Sequence, residues 1–357
     1  MTLKNTPPSE EAQRQAYVAL SQVFVKYQPP ERGQGEPHPP LTIEILPKGI
    51  DPPQGLFILE DEEERSVGIP KKVLVAAFLH ARRKFMATTG SERESEEMRI
   101  STMVILLFDP EFLTAANARK QYLLNMLSMK EAYGLMHKTM LKFAVRSELW
   151  FLDSILTSPL HRQSKSPTLW YQRAWVYHTF AEHCDFMLST RESILVELGI
   201  VLKAGEQHRH NYYAFQYARR VLRPALDRVP EDVRTPIGSS DAISLHRDVF
   251  DGLLAWCKSH PSDTSGWSFL LYWLSLRSAE QEELCRCAVR AVLQFAVAVR
   301  WKGEALWSFL RTMSNVDQAS NDAGDRDGMW VEIHGAMADL CPTLIRPSAQ
   351  SPKAPGG

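Results

Sequence analysis

Apolar residues recur through the middle of the chain at helical spacing. Leu141, Val145, Leu149, Leu152 and Leu156 form one stripe, and Ile194, Leu195, Leu198, Val201 and Leu202 a second. Leu245, Val249, Leu253 and Trp256 form a third, followed by Leu284, Ala288, Ala291, Val292, Phe295 and Val299. Steps of three and four residues put each set on one face of a helix, the face that is buried. Upstream, the pattern predicts a helix from about Glu10 to Tyr27, with acidic residues in its first turn. Another is predicted over Ile69–Thr89, with Pro70 in its opening turn. Between them Gln28–Gln54 reads as an extended connector whose one strand-like stretch is Leu41–Leu46. The acidic run Glu60–Glu64 reads as a solvated face or loop. After Ser91 the pattern is almost wholly helical, and Ser189-x-x-Glu192 reads as a capping box opening the second stripe's helix.

Proline sets the divisions. Ten prolines lie in residues 1–54 and four after Leu340, leaving eight for the 287 residues from Gly55 to Cys341. Proline breaks helices and central strands, so regular structure belongs to the middle. The expected order is an N-terminal helix and proline-rich connector (1–54), a helical N-terminal extension (55–103), helical repeats with a capping helix at Arg326–Leu340 (104–341), and a disordered tail (342–357).

The repeats carry aromatic marks. Each stripe is followed by a short break and a second helical segment with an aromatic near its start. Aligned on that aromatic, the anchors are Trp170, Phe215, Trp267 and Trp307, spaced 45, 52 and 40 residues apart. Ala116 occupies the same place 54 residues before Trp170. Helix pairs at a period of roughly 40–50 residues signal a solenoid, in which stacked hairpins bury a ribbon that none could bury alone. The expected fold is all-α, a right-handed superhelix of five hairpins over about Val104–Met313.

The phrasing of these repeats resembles the alpha subunits of protein prenyltransferases, in which Asn-Tyr-x-x-Trp-x-x-Arg opens the second helix of each pair. Asn211-Tyr212-Tyr213-Ala214-Phe215 is similar to it, with Phe in place of Trp. Trp170-Tyr171-Gln172-Arg173 keeps the second half, and Asn117-Ala118-Arg119, after Asp109-Pro110-Glu111, looks like a degenerate first repeat. His260–Trp267 looks like a late one. The divergent repeats and the N-terminal insertion look closest to the alpha-subunit repeat-containing branch. Two departures stand out. Ser166-Pro167 replaces an Asn-Tyr pair, and Ala218, Leu270 and Leu310 replace repeat arginines, with Arg219 and Arg311 one residue out of phase.

The resemblance implies a heterodimer. This chain would wrap a prenyltransferase beta subunit that holds the zinc, the isoprenyl diphosphate and the thiol of a protein substrate. It would bind no cofactor itself and be inactive alone. Lys165, five residues before Trp170, matches the lysine near the diphosphate, and Asn211 and Tyr212 match a pair near the subunit interface. Taken alone, Lys165 reads as surface charge and Asn211 as a helix cap. Trp170, Phe215, Trp267 and Trp307 read as packing wedges, with Asn117, Arg119 and Arg173 as structural partners in the repeat. The basic set Arg219, Arg220, Arg223 and Arg228 reads as a solvated or partner-facing helix side.

Composition narrows the classes. With 41 basic and 42 acidic residues the formal net charge is −1, unlike that of a general nucleic-acid binder. Five cysteines without paired spacing do not make a disulfide framework, and no stretch has the length and apolarity of a membrane span. A cytoplasmic protein is expected. The chain has no P-loop, G-x-S-x-G, H-E-x-x-H or G-x-G-x-x-G, and the acidic run Asp322–Asp327 fails as a calcium loop. His208 and His210 lack a third metal ligand nearby. The alternative to an enzyme subunit is a helical-repeat scaffold that binds a protein partner without chemistry; tetratricopeptide repeats are too short at about 34 residues.

Overall fold

The structure is a computed structural model that describes residues 8–29, 38–50, 52, 55–61, 65–128, 130–184, 186–187, 190–228, 245–276, 281–317 and 326–344. It is predominantly helical, with one small sheet. Two compact units divide the chain, Met1–Arg234 and Thr235–Gly357.

In the first unit, α1 (Glu10–Tyr27) opens on Ser9, whose hydroxyl accepts from the Ala12 N–H. The connector supplies β1 (Thr42–Leu46). The stretch expected to be helical from residue 55 instead begins with two strands, β2 (Phe57–Glu60) and β3 (Arg65–Pro70). The order is β1-β3-β2, β1 parallel to β3 and β2 antiparallel to it. Val67 and Ile69 are buried in the central strand. Glu60 is therefore a strand residue, and it pairs with Lys26 and Arg65. Glu62–Glu64 lie outside the described residues. Helix α2 (Lys71–Ala87) starts after Pro70, which sits at the cap, not in the first turn.

The sheet is tied to the helices by hydroxyls. In α5 (Lys130–Leu156) Ser154 accepts from the Leu41 N–H at 2.9 Å, and just beyond it Ser158 accepts from the Ile43 N–H at 2.8 Å. The Trp150 indole donates to the Pro39 carbonyl. Residues 39–43 are thus tied to the helical body, because side chains in α5 and just beyond it satisfy backbone groups leading into β1.

Helix α3 (Glu96–Phe108) is buried along nearly its whole length, and α2 and α4 (Leu113–Ser128) pack on it. Then come α5, the single turn α6 (His161–Ser164), α7 (Pro167–Phe180), α8 (Arg191–Gln207) and α9 (Tyr212–Arg228). Helix α4 packs on α5 and α7, and α7 on α9. The cap of α8 is Thr190, in a reciprocal box with Ser193; Ser189 lies outside the described residues.

The second unit holds α10 (Leu245–Ser259), α11 (Thr264–Ser275), α12 (Gln281–Ala298), α13 (Glu304–Asp317) and α14 (Arg326–Leu340). Each of the first three packs on the next, α11 on α13, and α14 on α13. Gly266 lets α11 approach α10: a Cβ there would lie 2.4 Å from the Trp256 ring. The Asp322–Asp325 run and residues 345–357 lie outside the described residues; of the tail expected to be disordered from 342, Pro342–Leu344 form a short 3-10 turn. Among those described, no helix is long and apolar enough to cross a membrane.

Candidate functional site

The four aromatic anchors are buried. Three of them make the same bond. The indole N–H of Trp170 donates to the Ser164 carbonyl, that of Trp267 to Pro261, and that of Trp307 to Trp301, always six residues back. Each indole thus closes the break that precedes its helix. Phe215 has no such donor. Asn211, four residues earlier, takes over: its amide donates to the Ser164 and Ala204 carbonyls and its oxygen accepts from the Ala214 N–H. The rings also meet between layers: Trp170 lies 5.1 Å from Tyr217 and Trp267 5.0 Å from Phe309, centroid to centroid. Tyr217 and Phe309 each stand two residues beyond the next anchor.

The repeat arginines are equally internal. Arg119 of α4 pairs with Glu148 of α5, and Gln172 of α7 donates to the same carboxylate. One layer on, Arg173 of α7 sits between Asp153 of α5, at 2.6 Å, and Glu197 of α8, with the Tyr177 and Tyr217 hydroxyls donating to Glu197. One guanidinium here faces two carboxylates. Burial and the nearby Glu197 charge push the Asp153 carboxyl up to about 6, against the downward pull of Arg173. Ala218, Leu270 and Leu310 occupy the corresponding places further along and are fully buried. An apolar residue there needs no carboxylate partner.

Lys165 closes the short turn after α6, and its ammonium donates to the Arg209 carbonyl at 2.8 Å. The second-repeat lysine is thus held against the loop that opens the third-repeat motif. Ser166 caps α7 and Pro167 is its first residue. The Ser166 and Thr168 hydroxyls are bound by Glu111. Beside Lys165, the His161 and His208 rings meet edge to face at 5.2 Å. Burial, then the charges of His161 and Lys165, lower the His208 pKa. Among the described residues no three His, Cys, Asp or Glu side chains are grouped to hold a metal.

Asn211 is fully buried, its hydrogen bonds taken by the helix junction, whereas Tyr212 is 56% exposed. Tyr212 lines a cavity of 690 Å³ between α4, α7 and α9. Asn117 and Trp170 line it too, so residues from three successive repeats converge; Lys165 is not among the lining residues. Lys120, Tyr171, Tyr213 and Arg220 are also part of its polar and aromatic wall. The Lys120 ammonium lies 4.6 Å from the Tyr171 ring centroid and 5.6 Å from that of Trp175. Burial lowers its pKa, opposed by Glu148.

Sequence reasoning missed Lys120, Glu148, Asp153 and Glu197. The signal for two of them was present: Glu148 and Glu197 are carboxylates in phase with apolar stripes, where a charge is expected only with a buried partner. The chain matches no protein-family model, and no curated protein sequence matches it.

Proposed function

We propose that this chain is the alpha-type subunit of a heterodimeric protein prenyltransferase in the cytoplasm. Its hairpins would form a right-handed superhelix that wraps a beta subunit. Zinc and isoprenyl diphosphate would be held by that partner, with the nucleophilic thiolate supplied by a substrate protein. The observation that carries the proposal is the Lys165–Arg209 bond, which joins the second-repeat lysine to the third-repeat motif bearing Tyr212. The shared indole bond of Trp170, Trp267 and Trp307 supports the repeat reading.

In the proposed reaction the thiolate sulfur forms a bond to C1 of the farnesyl or geranylgeranyl chain, and the C1–oxygen bond breaks. Negative charge grows on the departing diphosphate. An ammonium has three N–H donors. One of those on Lys165 goes to Arg209, which fixes the group and leaves two for leaving-group oxygens. Donors fixed beforehand lose little on reorganising as charge develops.

A second reading, a scaffold without chemistry, draws on Ser166-Pro167. Pro167 has no N–H, and Ser166 and Thr168 are turned to Glu111. Co-expression with prenyltransferase beta subunits separates the two. A stable one-to-one complex is expected. If no beta subunit co-purifies, the enzyme proposal fails and the scaffold stands.

A further inference from the structure

The α4–α7–α9 cavity has a one-sided charge. Its fourteen lining residues include two cations, Lys120 and Arg220, and no aspartate or glutamate. The carboxylate acting on Lys120, Glu148, is already bound by Arg119 and Gln172. Lys120 is instead held against two aromatic faces. A partly desolvated ammonium without a bound counter-anion is stabilised by an anionic ligand that arrives with its own apolar surface.

Three features identify the ligand's class. The volume, 690 Å³, holds several side chains, well beyond a single ion. The surroundings are apolar and open: Leu113 is 61% exposed, Tyr171 and Tyr212 are each 56%, and Tyr213 is 40%. Tyrosine with arginine around an apolar centre is the composition of protein interfaces. The helix ends are also poorly suited to phosphate, which is held by free backbone N–H groups. Pro167, the first residue of α7, has none; the Leu169 N–H goes to Ser166 and the Ala214 N–H to Asn211.

The geometry points to a receptor for an acidic, aromatic-flanked segment of a partner protein, with Lys120 and Arg220 taking its carboxylates and the tyrosines its apolar side chains. It rests on the proposed function only in treating this chain as a partner-binding subunit. The purified chain serves for the test, with no beta subunit present. Fluorescence anisotropy compares two fluorescein-labelled heptapeptides in which phenylalanine or leucine alternates with glutamate in one and with glutamine in the other. The glutamate peptide is expected to bind at least about tenfold tighter. Lys120→Gln and the exposed-site variant Arg220→Gln should each weaken it about three- to tenfold. Together, Lys120→Glu and Arg220→Glu should abolish the preference, and Lys165→Ala should leave it unchanged. Equal binding of the two peptides, or a preference that survives Arg220→Gln undiminished in a normally folded variant, overturns the assignment. So does displacement of the glutamate peptide by pyrophosphate at concentrations where free glutamate has no effect, which gives the cavity to a phosphate ligand. Failure of beta-subunit co-purification would leave this result standing, and failure here would leave the enzyme proposal standing.

Discussion

Arg173 shows how much of this protein's specificity is internal. Its guanidinium joins α5, α7 and α8 through Asp153 and Glu197, and the two phenols complete the cluster from α7 and α9. With both acids ionised the cluster carries one excess negative charge. Asp153 relieves this by holding its proton up to about pH 6, well above the usual aspartate range near 3.8. A carboxyl whose folded pKa is raised binds protons more tightly when folded. Its contribution is therefore most favourable below the unfolded pKa and is lost as pH rises toward 6. The loss amounts to about 3 kcal/mol over that window. Urea denaturation of the wild type and Asp153→Asn between pH 4 and 7 checks this. The wild type should lose stability relative to the variant as pH rises, and parallel curves would exclude Asp153 as the titrating group. Arg173 and Arg119 were legible as repeat positions. Asp153 was not, since nothing local marks this largely buried position of α5 as the second acid on one guanidinium.

At the scale of the element, the recurring unit is an indole that closes the break before its own helix. Trp267 and Trp170 make the same bond but differ in what remains without it. The Ser164 carbonyl beneath Trp170 also receives Asn211, whereas the Pro261 carbonyl receives Trp267 alone among the described side-chain bonds. Trp267→Phe should therefore cost about 1–2 kcal/mol beyond the packing loss, and Trp170→Phe distinctly less. Thermal denaturation of the two variants measures the difference, and equal losses would show that the indole bond does not set it. Helix bounds were readable within a residue or two, as at Glu10–Tyr27 and Arg326–Leu340. The sheet was only partly readable. Leu41–Leu46 stood out by alternation, but Phe57–Glu60 is an exposed edge with apolar residues on both faces, and Arg65–Pro70 has a proline and a glycine in six residues. The two pair with each other as a hairpin, and only the β1–β3 pairing joins segments about 24 residues apart; no alternating period records either.

For the molecule as a whole, the near-zero net charge of −1 hides a local imbalance at the cavity of the first unit. Three acids of the first unit, Glu148, Asp153 and Glu197, turn inward to pair with Arg119 and Arg173, while Lys120 and Arg220 line the cavity. The sequence identified Asn117, Trp170 and Tyr212 as motif residues, and they meet around that cavity. It did not identify Lys120, because that residue gains meaning only when α4 is laid against α7. Lys165 and Asn211 both match motif positions, yet their surroundings differ: one is held at the surface by a backbone carbonyl and the other is enclosed in a helix junction. If this chain completes a prenyl-transferring enzyme, as proposed, transfer itself is the quantity to measure. The purified chain, each beta subunit and their mixtures are incubated with a fluorescent geranylgeranyl or farnesyl diphosphate and a cysteine-bearing protein pool, and labelled protein is read by gel. Labelling is expected only from a mixture of this chain with one beta subunit, with slower turnover but intact assembly for Lys165→Ala. A stable complex that labels no protein above the level of the beta subunit alone would contradict the claim.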